Sequence, residues 1–370
     1  MSIDLKDSMP LYQQIVNDIK AQINADMLSI GDKIPSQNEL SRAYDVSLIT
    51  VKRALAELIN DGILFSRVGK GTYVARKPRS GGFSEHVTIG LVLRDLQSPY
   101  FSRIARGVEK EVSARGFNLL VSTSANQMEK EESQIYHYRK IGVHGMIIAS
   151  MTRQYRASGA LRELHAAKFP YVAVSYMVDE DINYVGTDHE YGAYLAAEHL
   201  IESGYKTIGY INGEQGNLLG AIRKKGFLKA LEDYGVSFNE KFEFHLLRRG
   251  EWNDYTSGYE IGKQFSKLPD PPRAMFVYND LAALGFQKAI LDNGLTVPGD
   301  VAIVGFDNID QSVTALVPLT TIHQPTEEIG PLAVDMLTKL IRGQTTPRRI
   351  VLKPRLVIRE SCGSEIKIAH

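Results

Sequence analysis

The sequence predicts two folds in one chain: a small, mostly helical unit closed by a β-hairpin, then a large α/β unit of two lobes. Three observations predict this. At 370 residues the chain is too long for a single ordinary core. Residues 76–86, RKPRSGGFSEH, carry a proline, a glycine pair and no apolar period, which is the composition of a linker. Beyond them short apolar runs alternate with amphipathic stretches, and the alternation restarts partway along, the mark of two parallel sheets covered by helices. The expected boundaries are 1–76 for the first unit, 77–86 for the linker and 87–362 for the second unit.

The first unit reads as three helices and a hairpin. Leu11, Ile15, Ile19 and Ile23 recur at i, i+4 spacing and give a first helix one apolar stripe. Gly31 and Pro35 break the chain after it. Ser36, with Glu39 three residues on, is the signature of a capping box that opens a second helix. Tyr44 and Asp45 make a tight connection to Ser47, the N-cap of a third helix that stops at Asp61-Gly62. With Val51, Leu55, Leu58 and Ile59 of that helix buried, Leu48, Ile49, Lys52 and Arg53 face outward. Ile63–Ser66 and Thr72–Ala75 alternate as strands about Val68-Gly69-Lys70-Gly71, where glycine lets the backbone approach a partner closely. This is a winged helix-turn-helix, mostly α with a β wing, and its third helix is sized for a major groove. Charge agrees. Residues 1–45 carry four Lys/Arg against seven Asp/Glu, residues 46–80 carry seven against two, and the whole chain balances at 43 each. A short positive segment on a neutral chain is the footprint of a small DNA-reading element.

The segments PLYQQIVNDIKAQI, GDKIPSQNELSRAYDVS, TVKRALAELINDGIL and VGKGTYVA run in order through almost the whole unit, which resembles the DNA-binding domain of the GntR family. The resemblance implies DNA contacts from Ser36, Gln37 and Asn38 in the second helix, from Ser47, Leu48, Ile49, Thr50, Lys52 and Arg53 in the third, and from Gly69, Lys70 and Gly71 in the wing. Lys52, Arg53 and Lys70 would meet phosphates while the head of the third helix meets base edges. One departure matters. Many GntR-type readers place Ser-Arg at the head of this helix and a second Arg one turn later, whereas this chain has Ser47-Leu48 and Lys52. An arginine grips guanine through two hydrogen bonds worth about 1–3 kcal/mol of discrimination. Leu48 and Ile49 offer only apolar contact, so an A/T-rich half-site core is expected; the alternative is that Leu48 packs on the first helix.

In the second unit VTIGLVL, FNLLVS, GMIIAS and YVAVS read as strands, with the first helix starting at about Pro99. The pattern restarts with KTIGYIN from 206, RAMFVYN from 273 and DVAIVGFD from 300, and ends near LVIRE at 356. Ligands of open α/β sheets sit beyond the carboxyl ends of the strands. Arg94-Asp95, Asn279-Asp280 and Asp307 stand at such ends. Tyr100 and Phe101 can stack on the apolar face of a sugar ring, Trp252 is a second stacking candidate, and Arg223 supplies a planar fork of donors.

The segments IGLVLRDLQSPYFSRIARGVEKEVSARGFNLLVSTS, HGMIIAS, VGTDHEYGAYLAAEHLIESGYKTIGYI, PRAMFVYNDLAALGFQKAILDNGLTVPGDVAIVGFDN and LTTIHQ resemble the effector domain of the LacI family and the related periplasmic sugar-binding proteins, over residues 87 to about 360. That implies a two-lobed, periplasmic-binding-protein-like domain. Lobe 1 would take about 87–204 and 323–344, and lobe 2 about 205–322 and 345–362. The crossings would fall near Ser203–Gly204, Ile322–Gln324 and Arg342–Thr346. It also implies effector contacts at Tyr100, Phe101, Arg223, Trp252, Asn279, Asp307 and Gln324, joined by Asp188 and Tyr191. Each has a plainer reading: Asp307 as a turn cap, Asn279 as a helix cap, Trp252 as core.

A GntR-type reader joined to a LacI-type sensor is the arrangement of the arabinose repressors of Gram-positive bacteria, and the chain is similar to that group. The expected function is a sequence-specific DNA-binding regulator, a homodimer repressing carbohydrate-utilisation genes and released from its operator by a small sugar, arabinose first. A phosphosugar, deoxyhexose or purine effector and an activator's role stay open. A sugar-binding transport protein would share the second unit but would need export, and MSIDLKDSMPLYQQ has no apolar segment of a secretory signal. The single cysteine, Cys362, makes no internal disulfide, and the apolar runs are too short to span a membrane. A reducing cytoplasm is therefore expected. There is no G-x-S-x-G, H-E-x-x-H, P-loop or G-x-G-x-x-G, and the nine histidines lack ligand spacing. No catalytic residue, metal or cofactor is expected.

Overall fold

The computed structural model describes residues 10–25, 27–60, 62–67, 70–75, 87–149, 156–247 and 253–363. Asp61, Val68, Gly69, the expected linker and Trp252 lie outside the described residues. The chain divides into two units, Met1–Glu85 and His86–His370.

The first unit holds α1 (Leu11–Asn24), α2 (Gln37–Tyr44), α3 (Leu48–Asn60), β1 (Leu64–Arg67) and β2 (Gly71–Val74). The capping box is complete: Glu39 N–H donates to Ser36 Oγ at 3.3 Å, and Ser36 N–H donates to the Glu39 carboxylate at 2.7 Å. Asp45, at φ 52°, turns the chain after α2, and Ser47 Oγ caps α3 through Thr50 N–H at 3.2 Å. Ile15, Val16, Ile19 and Ile23 of α1 pack on Leu40 and Tyr44 of α2 and on Val51, Ala54, Leu55 and Leu58 of α3. β1 and β2 pair antiparallel from Leu64↔Val74 to Arg67↔Gly71, so the wing seals that core with Leu64 and Val74. One expected core residue is corrected. Ile59 is 37% exposed, because the buried stripe of α3 runs 51, 54, 55, 58 and leaves 59 on the flank.

The second unit opens with β3 (Thr88–Leu93), α4 (Pro99–Ala114), β4 (Asn118–Thr123), α5 (Met128–Lys140), β5 (Gly145–Ile148), α6 (Gly159–Ala166), β6 (Tyr171–Ser175) and β7 (Tyr184–Thr187). It continues through α7 (His189–Glu202), β8 (Ile208–Asn212), α8 (Leu218–Asp233), β9 (Glu243–His245), α9 (Asp254–Phe265), β10 (Ala274–Val277), α10 (Asp280–Asp292) and β11 (Ala302–Asp307). It ends with β12 (Thr320–His323), α11 (Thr326–Ile341), β13 (Arg349–Leu352) and β14 (Arg355–Val357). Two six-stranded sheets result, ordered β4-β3-β5-β6-β7-β13 and β9-β8-β10-β11-β12-β14. Every pair is parallel except β12 with β14. Helices α4 and α11 bury one face of the first sheet through Ile104, Val108, Val334 and Leu337. Helices α7 and α8 do the same for the second through Ala193, Ala197, Phe227 and Leu231. Among the described residues no helix is long and apolar enough to cross a membrane.

Two lobe boundaries differ from expectation. The first crossing lies at Asp188, not Ser203–Gly204, because the alanine face of α7 (Ala193, Ala196, Ala197, Leu200) belongs to the core of the second lobe. A helix after a strand can serve either sheet, and alternation alone does not choose between them. The third crossing lies at Lys353–Pro354, not Arg342–Thr346, because β13 pairs with β7 and only then does β14 join β12. The second crossing leaves β12 at Gln324.

Candidate functional site

Two surfaces carry polar groups that the core does not account for. The first is the head of α3. Leu48 is 42% exposed and Ile49 78%, so Leu48 is not packed away against α1. Lys52, Arg53 and Lys70 are exposed, as are Gln37 and Asn38 on α2. Ser47 and Thr50 share a hydroxyl hydrogen bond at 2.8 Å, and the Arg53 guanidinium lies over the Tyr12 ring at 4.0 Å. Ser36 is committed to its capping box. Gly71, at φ 116°, holds a backbone shape that only glycine adopts freely, and the Tyr73 hydroxyl donates to the Lys70 carbonyl at 3.1 Å.

The second is a cavity of 650 Å³ between the two sheets. Lobe 1 lines it with Arg94, Asp95, Tyr100, Phe101 and Asn126, and lobe 2 with His189, Asn217, Arg223, Asp254, Tyr278, Asn279 and Asp307. Gln324, on the second crossing, completes the wall. Tyr100 and Phe101 enter because Pro99 fixes the first turn of α4 directly after the β3 loop, and their rings pack edge-to-face at 5.2 Å.

Arg223 is buried, its guanidinium 3.7 Å from the centre of the Phe306 ring and 4.6 Å from that of Tyr278. It donates to the Tyr278 carbonyl, lies 3.3 Å from His189 Nδ1 and 3.8 Å from Asp307 Oδ1. Burial, and then the neighbouring arginine charge, push the His189 imidazole well below its usual range, so it stays neutral. Burial pushes the Asp307 carboxyl up to about 7 against the pull of Arg223. Gln324 Nε2 donates to Asp307 Oδ1 at 2.6 Å. Arg223 Nε and Gln324 Oε1 are among the buried side-chain atoms here that find no hydrogen-bond partner among the described residues.

Asn279 caps a helix and also lines the cavity. Its Oδ1 caps α10 through Ala282 N–H at 2.9 Å, while its Nδ2 donates to Asp254 at 2.6 Å on the cavity wall. Asp280 is structural: fully buried, it accepts from Ile309 N–H, Ser312 and Thr321. After β11 the chain turns through two residues of positive φ, Asp307 at 120° and Asn308 at 52°. Asn308 is held from several sides. Its carbonyl accepts from Arg103 of α4 at 2.7 Å, its Oδ1 from Arg359 at 2.6 Å, and its Nδ2 lies 3.0 Å from His323 Nδ1. Arg103 also reaches Asp310 at 2.5 Å, so α4 of one lobe grips the loop of the other.

Six of the nine expected effector residues meet at this cavity: Tyr100, Phe101, Arg223, Asn279, Asp307 and Gln324. Asp188 and Tyr191 do not line it. Asp188 turns back to cap α7 through Tyr191 N–H at 2.9 Å, and Tyr191 is 39% exposed beside Lys353. His189 and Tyr278 were not among the expected residues, yet each is adjacent to one that was, at the end of β7 and of β10. The strand-end rule applied one residue more widely reaches both.

Residues 11–74 match the gntR family of bacterial regulatory proteins, and residues 197–362 match the periplasmic binding protein-like domain. The chain is 29% identical over 363 residues to the arabinose metabolism transcriptional repressor of Geobacillus stearothermophilus, covering 96% of this chain and 98% of that protein. It is 31% identical over 281 residues to the HTH-type transcriptional repressor PurR of Pasteurella multocida, covering 75% and 82%. Among solved structures, a LacI family transcriptional regulator from Enterococcus faecium with bound ribose matches with a TM-score of 0.64 and 26% identity, over 74% of this chain and 98% of that one.

Proposed function

The chain belongs to the LacI family of transcriptional regulators, with a GntR-type winged helix as its DNA reader, and from that premise we propose that it represses its target genes until an uncharged small sugar fills the interlobe cavity. The observation that carries the ligand class is the lining of the cavity, with Tyr100 and Phe101 on one lobe facing Arg223, Asn279 and Asp307 on the other: an apolar surface for a sugar ring and donors and acceptors for its hydroxyls. Charge narrows the class further. Arg94 and Arg223 face Asp95, Glu214, Asp254 and Asp307 around the cavity, so an added phosphate would meet surplus negative charge. A neutral polyol meets only donors and acceptors. The volume suits a monosaccharide with a few waters. Arabinose is the first candidate, because the arabinose metabolism repressor of Geobacillus matches the chain almost end to end.

The reading assigns no catalytic step, metal or cofactor. It places the protein in the cytoplasm as a homodimer, whose two winged helices meet two half-sites at a spacing set by the lobe angle. A hundredfold loss of operator affinity requires about 2.7 kcal/mol of differential sugar binding, which a few hydrogen bonds supply. The test is fluorescence anisotropy of a labelled fragment from the gene's own upstream region, titrated with protein in the presence of single sugars. The expected result is tight binding that one pentose weakens, with Arg223→Lys still binding DNA but insensitive to the sugar. Binding that no sugar alters overturns the switch, and no binding at low salt overturns the regulator.

A further inference from the structure

Helix α3 presents an unusual head for a groove reader. The polar groups there are already engaged: Ser47 Oγ with Thr50 N–H and with the Thr50 hydroxyl, and the Arg53 guanidinium over the Tyr12 ring. The next cation, Lys52, is a flexible point charge suited to a phosphate rather than to a bidentate grip on a base. That leaves Ile49, 78% exposed, with Leu48 beside it at 42%. Single exposed aliphatic side chains are common, but these two are adjacent in the first turn of the helix that the winged-helix geometry sends into DNA. The major groove offers one apolar group on its base edges, the C5-methyl of thymine.

We propose that the operator is read here by methyl contact, Ile49 against the C5-methyl of a thymine in each half-site with Leu48 flanking it, rather than by arginine on guanine. The proposal rests on the regulator reading above and adds the chemistry of its base recognition. Ile49 is β-branched on a helix, which fixes its χ1 and so the placement of its Cγ2 methyl and Cγ1 methylene. A rigid apolar knob discriminates by methyl present against methyl absent. Lys52 and the wing Lys70 would contribute the salt-dependent, sequence-independent part of binding.

The test uses the full-length protein and a duplex from its own upstream region. Each thymine of the protected half-site is replaced in turn by deoxyuridine, which keeps base pairing and removes only the methyl. The expected result is binding weakened by about fourfold for each contacted thymine, the factor that corresponds to burying one methyl-sized group. Ile49→Ala, at an exposed position, is expected to fold with an unchanged melting temperature and to bind thymine and deoxyuridine duplexes alike. If the unmodified duplex is bound and no deoxyuridine position matters, methyl reading is overturned and the regulator reading stands. If Ile49→Ala keeps the full thymine preference, the assignment to Ile49 is overturned. Failure to bind the unmodified duplex overturns the regulator reading and this inference with it.

Discussion

The grip of Arg103 on the Asn308 loop lets one substitution separate two kinds of contact across the lobes. Arg103 makes an ion pair with Asp310, whose side chain is 93% exposed, and a hydrogen bond to the Asn308 carbonyl, while its own side chain is only 25% exposed. An ion pair to so exposed a carboxylate contributes about 0.5 kcal/mol or less. A charged donor on a partly buried carbonyl contributes about 1.5 kcal/mol or more. The carbonyl contact therefore dominates. Arg103→Ala should shift the lobe-angle equilibrium by about 1.5 kcal/mol, and so weaken the effector by up to about tenfold, since this angle gathers Tyr100 and Phe101 opposite Arg223. Asp310→Ala should change affinity by about twofold at most. Isothermal titration calorimetry of the effector into each full-length variant reads both numbers. Equal losses in the two variants would refute the ranking, and an unchanged affinity in Arg103→Ala would refute the claim that this contact holds the lobe angle.

Asp307, lifted to about 7 by burial, holds its proton more tightly folded than unfolded, so its contribution to stability is full below about pH 4 and is lost as pH rises toward 7. Urea midpoints should fall between about pH 5 and about pH 8 in the native protein and fall less in Asp307→Asn. Because sugar hydroxyls donate to a carboxylate, effector affinity should strengthen over the same rise in pH, and calorimetry of the Asn variant should show a flatter profile. Ser36→Ala removes one arm of the capping box and should cost about 1 kcal/mol, lowering the melting temperature of the winged helix by about 4–8 °C. A Cβ on Gly226 would overlap the Glu190 carbonyl, so Gly226→Ala should separate α7 from α8 and destabilise the second unit by about 1–3 kcal/mol or more, visible as a lowered urea midpoint.

Much of this was legible in local sequence because the signals are local. Ser36 and Glu39 state their capping box in four residues, and the alternation of short apolar runs names the strands. What local pattern does not carry is partnership. Helix α7 shows small residues on the face it buries, but nothing in it says which sheet it will cover. Residues 345–362 are expected in lobe 2, yet Arg349–Leu352 pairs with β7 of lobe 1, a choice decided by tertiary fit. The cavity divides in the same way. Residues at strand ends, such as Asn279 and Asp307, follow from topology alone. Asp188 also stands at a strand end, yet its carboxylate is taken by its own helix, a local competition that the strand-end rule ignores. His189, one residue on, lines the cavity.

The two final strands have a consequence for how the chain is made. Each sheet is completed at one edge by a strand within Arg349–Val357, and the first sheet also waits for α11 to cover Ile104 and Val108. A ribosome therefore releases the winged helix as a finished unit early. The first lobe must stand with one apolar face covered only by α4 and with an unpaired edge until the whole of the second has been synthesised. The period of greatest exposure to aggregation and proteolysis falls late in translation, and truncations near the carboxyl end should damage both lobes at once.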